Sequence, residues 1–79
     1  MSKLPLVSSR EVIRVLEHAG FKRGAKSPGS HQVFAKHLDD GTTLTTVVVL
    51  GKKEIPRGTL KDILARAGLS DDQFLRLLR

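Results

Sequence analysis

Apolar positions along the chain follow a helical period, then an alternating one, then a helical one again. Val12, Ile13, Leu16 and Ala19 share one helical face, while Arg10, Arg14, Glu17 and His18 take the other side. Ser8 precedes this run and Glu11 follows three residues later, the spacing of a capping box. Gly20 comes next and suits the left-handed residue that ends a helix. The pattern predicts a first helix over about residues 9–19. Phe21 to Ala25 reads as a short strand. Lys26-Ser27-Pro28-Gly29-Ser30 has the composition of a turn. A second strand is expected from His31 to His37. Its inward face is ambiguous, because Val33 and Ala35 alternate with Gln32, Phe34 and Lys36. Asp39-Asp40-Gly41 is a hairpin signal. The β-branched run within Thr42 to Leu50 is the clearest strand of the chain.

Gly51 to Ile55 is a basic loop, and Pro56 and Gly58 mark the approach to a second helix. Leu60, Ile63, Leu64 and Ala67 form its apolar face, and Gly68 ends it. Ser70 and Gln73 make a second capping box before a last short helix bearing Phe74, Leu77 and Leu78. The expected order is α-β-β-β-α-α, an α+β fold. A three-stranded antiparallel sheet is covered on one face by amphipathic helices.

Length narrows the picture. With 79 residues the chain is expected to be one domain, residues 1–79, with one small core and no room for a dinucleotide-binding fold. Charge narrows it further. Fourteen Lys and Arg against eight Asp and Glu leave a formal +6, which suits a polyanionic partner. Cysteine is absent, excluding disulfides and a thiol nucleophile and fitting a reducing compartment. No apolar run approaches the ~20 residues that span a bilayer, and Lys3 is followed by no signal core. A cytoplasmic protein with no membrane association is therefore expected. Three Phe with no Trp or Tyr exclude aromatic stacking as the main way of holding bases.

The basic residues cluster. Lys22, Arg23, Lys26 and Lys36 fall between Phe21 and His37 with no acid among them. Lys52, Lys53, Arg57 and Lys61 fall between Gly51 and Lys61 against Glu54 alone. The two loops are expected to border the start of the second strand, where lysines near one edge would hold phosphates without reading bases. There lies Gly29-Ser30-His31. Glycine permits close backbone approach, serine offers a hydroxyl, and an imidazole ordinarily exchanges its proton near pH ~6.5. RNA carries its own nucleophile, the 2′-hydroxyl, so a histidine beside cations is a minimal kit for cleaving it. His18 is explained by the helix C-terminus and His37 by the end of a strand. The spacing of the three histidines matches no compact metal-ligand pattern, and no metal or other cofactor is expected.

The chain resembles the HicA toxins of HicA–HicB toxin–antitoxin systems. The resemblance rests on Arg10-Glu11-Val12-Ile13, Ala19-Gly20-Phe21, Gly29-Ser30-His31 with Phe34, and Gly51-Lys52-Lys53-Glu54-Ile55-Pro56. It continues through Gly58-Thr59-Leu60 and Ile63-Leu64 to Ala67-Gly68-Leu69-Ser70. It implies a double-stranded-RNA-binding-domain-like α-β-β-β-α fold, here with a short extra C-terminal helix. It also implies a metal-independent mRNA endoribonuclease with His31 as the catalytic residue, and a HicB-type antitoxin as partner. On this reading Lys22, Lys26, Gly29, Ser30 and Lys52 bind RNA, and the free toxin is a monomer. Two departures stand out. The Pro-x-His-Gly pattern common after the third strand is replaced by Val48-Val49-Leu50-Gly51, which removes a second histidine. Pro28 stands where a basic or polar residue is usual. The missing histidine keeps open an alternative, a non-catalytic RNA-binding module of the same fold. A third reading is a basic face that docks an acidic protein.

Overall fold

The computed structural model describes residues 4–26 and 29–79, with Lys26 described in its backbone alone. Residues 1–3 of the N-terminal lead-in, and residues 27–28 of the predicted turn with the proline departure, lie outside the described residues. The elements are α1 (Ser9–His18), β1 (Lys22–Lys26), β2 (His31–His37), β3 (Thr43–Val49), α2 (Arg57–Ala67) and α3 (Asp71–Leu78). The order is α-β-β-β-α-α, as the periodicity predicts, and the fold is α+β.

Local chemistry sets the helix ends. The Glu11 amide donates to the Ser8 hydroxyl at 3.2 Å, and the Ser8 amide donates to the Glu11 carboxylate at 2.9 Å. Ser70 and Gln73 repeat the arrangement at α3. Gly68 closes α2 at φ 69°, a left-handed conformation that glycine adopts without a side-chain clash. Strand β1 starts one residue later than the sequence suggests, because Phe21 is drawn into the core at 3% exposure.

The three strands form an antiparallel sheet in the order β1-β2-β3. Register settles the ambiguous face of β2. Gln32 lies opposite Val48 and Phe34 opposite Thr46, and all four are buried under the helices. Gln32 tolerates this because its amide nitrogen donates to the carbonyls of Gly24 and Val33, both at 3.0 Å. Val33, Ala35, Val47 and Val49 take the other face and are half-buried.

Helix α1 buries Val12, Val15 and Leu16; Val15 is absent from the predicted stripe, and Ile13 and Ala19 pack at its margin. Helix α2 buries Leu60, Ile63, Leu64 and Ala67, as its spacing predicts. Thr46 anchors it to the sheet by donating its hydroxyl to the Ile63 carbonyl at 2.9 Å. Phe74 of α3 is fully buried, and Arg14 of α1 donates to the Leu78 carbonyl at 3.2 Å.

The residues before α1 are part of the core. Leu4 and Val7 are buried, the Ile55 amide donates to the Val7 carbonyl at 2.7 Å, and Arg57 donates to the Leu4 carbonyl at 2.7 Å. Covering a Leu or Val side chain is worth roughly 1.5–3 kcal/mol. This strap therefore holds the β3–α2 connection firmly against the body, and that connection forms part of the site described next.

Candidate active site

Gly29 has φ 81°, a conformation that favours glycine and reverses the chain into β2. The Ser30 carbonyl then accepts from the Leu50 amide at 2.6 Å, and His31 pairs with Val49. His31 thus sits at the corner where β2 begins and β3 ends, with its side chain exposed. Its alternation places it on the sheet face that carries Val33, Val47 and Val49.

Helix α2 packs on the opposite face through Thr46 and passes the edge strand β3, where a groove opens between them. A cavity of about 350 Å³ is lined by His31, Val47 and Val49 from the sheet and by Thr59, Asp62, Ile63 and Arg66 from α2. A second cavity of about 310 Å³ shares Val49, Thr59 and Ile63 and continues to Lys52 and Glu54. Together they make one groove, with His31 and Arg66 toward one end and Lys52 toward the other.

Ser9 fixes the Lys52 end. Its hydroxyl donates to the Val49 carbonyl at 2.6 Å and accepts from the Lys52 amide at 3.0 Å. The Ser9 amide donates to the Lys52 carbonyl at 3.0 Å. One residue, 2% exposed, therefore ties the start of α1, the end of β3 and the basic loop together. Nothing in local sequence signals this role, because Ser9 reads as a first-turn helix residue.

Of the residues singled out by sequence, Gly29, Ser30 and His31 are contiguous and Lys52 borders the same groove. Lys26 pairs in backbone with Gln32, next to His31. Lys22 is elsewhere. It pairs with Ala35, four residues along β2 from His31, a separation of about 13 Å along the strand. With Lys36 it lines a separate depression beside His37. Within the first basic group Lys26 lies at the start of β2, and strand direction carries Lys22 away from it. Arg23 is occupied on the helix side, 3.9 Å from Glu17 and stacked 5.7 Å from the centre of the Phe34 ring. His37 bonds Thr43 at the opposite end of β2, about 20 Å from His31 along the strand, so these two histidines do not share a ligand. Among the described residues no three His, Asp or Glu side chains gather as a metal-holding group.

Sequence reasoning missed the α2 wall. Thr59, Asp62 and Arg66 recur at i, i+3 and i+7, a stripe lying beside the apolar one and sharing Ile63 with it. The signal was present, but the stronger apolar period hides it.

A family model described as the HicA toxin of bacterial toxin–antitoxin systems matches residues 9–69 of the 79. No curated protein sequence matches the chain. The matched span runs from Ser9 through the His31 corner and Lys52 to the end of α2, so it contains the whole groove. The chain belongs to the HicA toxin family, the toxin half of a toxin–antitoxin pair.

Proposed function

We propose that this chain is an mRNA endoribonuclease that works without a metal, with His31 as its proton-transfer residue. The observation that carries the reading is the position of His31 in a groove whose opposite wall carries Arg66, with Lys52 lining the adjoining cavity. A phosphodiester laid in that groove brings its 2′-hydroxyl to the imidazole. His31 takes the 2′-proton, the 2′-oxygen bonds to phosphorus, and the bond from phosphorus to the 5′-oxygen breaks. Attacking and leaving oxygens stand on opposite sides of phosphorus, so one ring serves one of them at a time. Water, which reaches the exposed His31 ring, gives a proton to the leaving 5′-oxygen, and the hydroxide left behind takes the 2′-proton from the imidazolium. A positioned base contributes a factor of ~10²–10⁴. Gly29 and Ser30 shape the corner that presents the ring. Lys22, Lys26 and Lys52 hold phosphates further along the strand.

A single domain of residues 1–79 carries this activity as a monomer in the cytoplasm until a HicB-type antitoxin covers the groove. Among the described residues no helix is long and apolar enough to cross a membrane.

The test is cleavage of RNA in excess chelator, with the product ends identified. The reading predicts 2′,3′-cyclic phosphate ends and no cleavage at a nucleotide whose 2′-hydroxyl is replaced by hydrogen. RNA bound in a strongly salt-dependent way but recovered intact would make the chain a binding module instead.

A further inference from the structure

His31 accounts for one proton, but cleavage also builds negative charge on the phosphate oxygens, and a side chain must meet it. Of the residues lining the His31 cavity, only His31 and Arg66 can carry positive charge; Val47, Val49, Thr59 and Ile63 are neutral and Asp62 is an acid. Lys52 lines only the adjoining cavity, and Lys22 lies about 13 Å along the strand. Arg66 is exposed, and the two ion pairs among the described residues, Arg23–Glu17 and Lys61–Asp71, do not include it. Its guanidinium is therefore available to a ligand. A guanidinium presents paired N–H donors to two phosphate oxygens at once, and it does not lose its charge at any working pH.

We infer that Arg66 is a second catalytic residue, binding the scissile phosphate across the groove from His31 and stabilising the charge that develops there. The inference rests on the RNA-cleaving reading of the groove. It assigns the two walls different tasks: the sheet corner moves the proton and α2 holds the phosphate. Asp62, one helical turn before Arg66 on the same wall, opposes a polyanion. Its charge limits how tightly RNA settles, so its removal has the opposite sign to the removal of Arg66. A basic residue in the last turn of α2 also complements the helix dipole. That role is independent of RNA, and a lysine fills it equally well.

The experiment compares wild type, Arg66→Met, Arg66→Lys, Asp62→Asn and His31→Ala. Single-turnover cleavage is measured in chelator, and affinity is measured for a 2′-deoxy-substituted RNA across a salt series. Circular dichroism confirms that each variant is folded. Arg66→Met is expected to slow the cleavage step ~10²–10³-fold, the usual loss for one transition-state donor. It should also lower the slope of log affinity against log salt by about 0.7, one single-strand phosphate contact. Arg66→Lys should recover part of the rate, and Asp62→Asn should bind more tightly than wild type. Arg66→Met cleaving within about threefold of wild type, with His31→Ala inactive, overturns the role of Arg66 and leaves the nuclease reading standing. His31→Ala cleaving like wild type overturns both. An unchanged salt slope in Arg66→Met overturns the phosphate contact whatever the cleavage result.

Discussion

Replacing Ser9 by alanine removes one oxygen that serves two backbone groups some forty residues away. The Val49 carbonyl loses a donor at 2.6 Å and the Lys52 amide loses an acceptor at 3.0 Å. Leaving a buried polar group without a partner costs ~1–3 kcal/mol. Both bonds are only partly buried, so the lower end applies, about 1 kcal/mol each. Alanine returns a few tenths of a kcal/mol through its better helix propensity. The net expectation is a loss of about 1.5–2 kcal/mol, out of roughly 4–12 kcal/mol for a domain of this length. Urea unfolding followed at the helical dichroism band reads this directly. With a slope of about 1 kcal/mol per molar for so small a domain, the midpoint should fall by about 1.5–2 M. Hydrogen exchange locates the effect, since the Lys52 amide should exchange about tenfold faster or more. A midpoint within about 0.5 M of wild type, with Lys52 still protected, would refute the claim that Ser9 pins the groove.

Thr46→Val keeps the shape of a fully buried side chain but removes its donation to the Ile63 carbonyl. It should cost about 1 kcal/mol in urea unfolding and broaden the backbone resonances of α2; a neutral result would remove the α2 anchor from the account. Asp40 accepts from the Thr42 amide at 2.8 Å, and that hydrogen bond holds its carboxyl below the usual value of 3.8. A lowered folded-state value stabilises the hairpin above the unfolded value, and the benefit is lost as pH falls through the lowered one. Stability curves of wild type and Asp40→Asn should therefore converge in acid, and curves that stay parallel down to pH ~2 would contradict this linkage.

Much of the fold was legible because the signals are local. The Ser8–Glu11 and Ser70–Gln73 boxes, the left-handed Gly68 and the Asp39-Asp40-Gly41 turn each depend on residues within a few positions of one another. The inward face of β2 was not legible, because burial of Gln32 depends on the Gly24 carbonyl of a neighbouring strand. The core role of Leu4 and Val7 depends on Ile55 and Arg57, about fifty residues away. The site divides in the same way. His31 stood out through its glycine-bearing turn and basic setting. Ser9 and Arg66 did not, because one acts through contacts made only on folding and the other shares a helix whose apolar stripe dominates the pattern. Lys22 was grouped with His31 by sequence proximity, whereas strand direction separates them.

The most direct measurement of the central claim is the rate of RNA cleavage by wild type and His31→Ala in excess chelator, with the fold of both checked by circular dichroism. His31 is exposed and its side chain is not part of the core, so the variant should stay folded. The account predicts that wild type cuts and the folded variant is slower by ~10²–10⁴-fold. Undiminished cleavage by folded His31→Ala would remove the histidine from the chemistry and contradict the account.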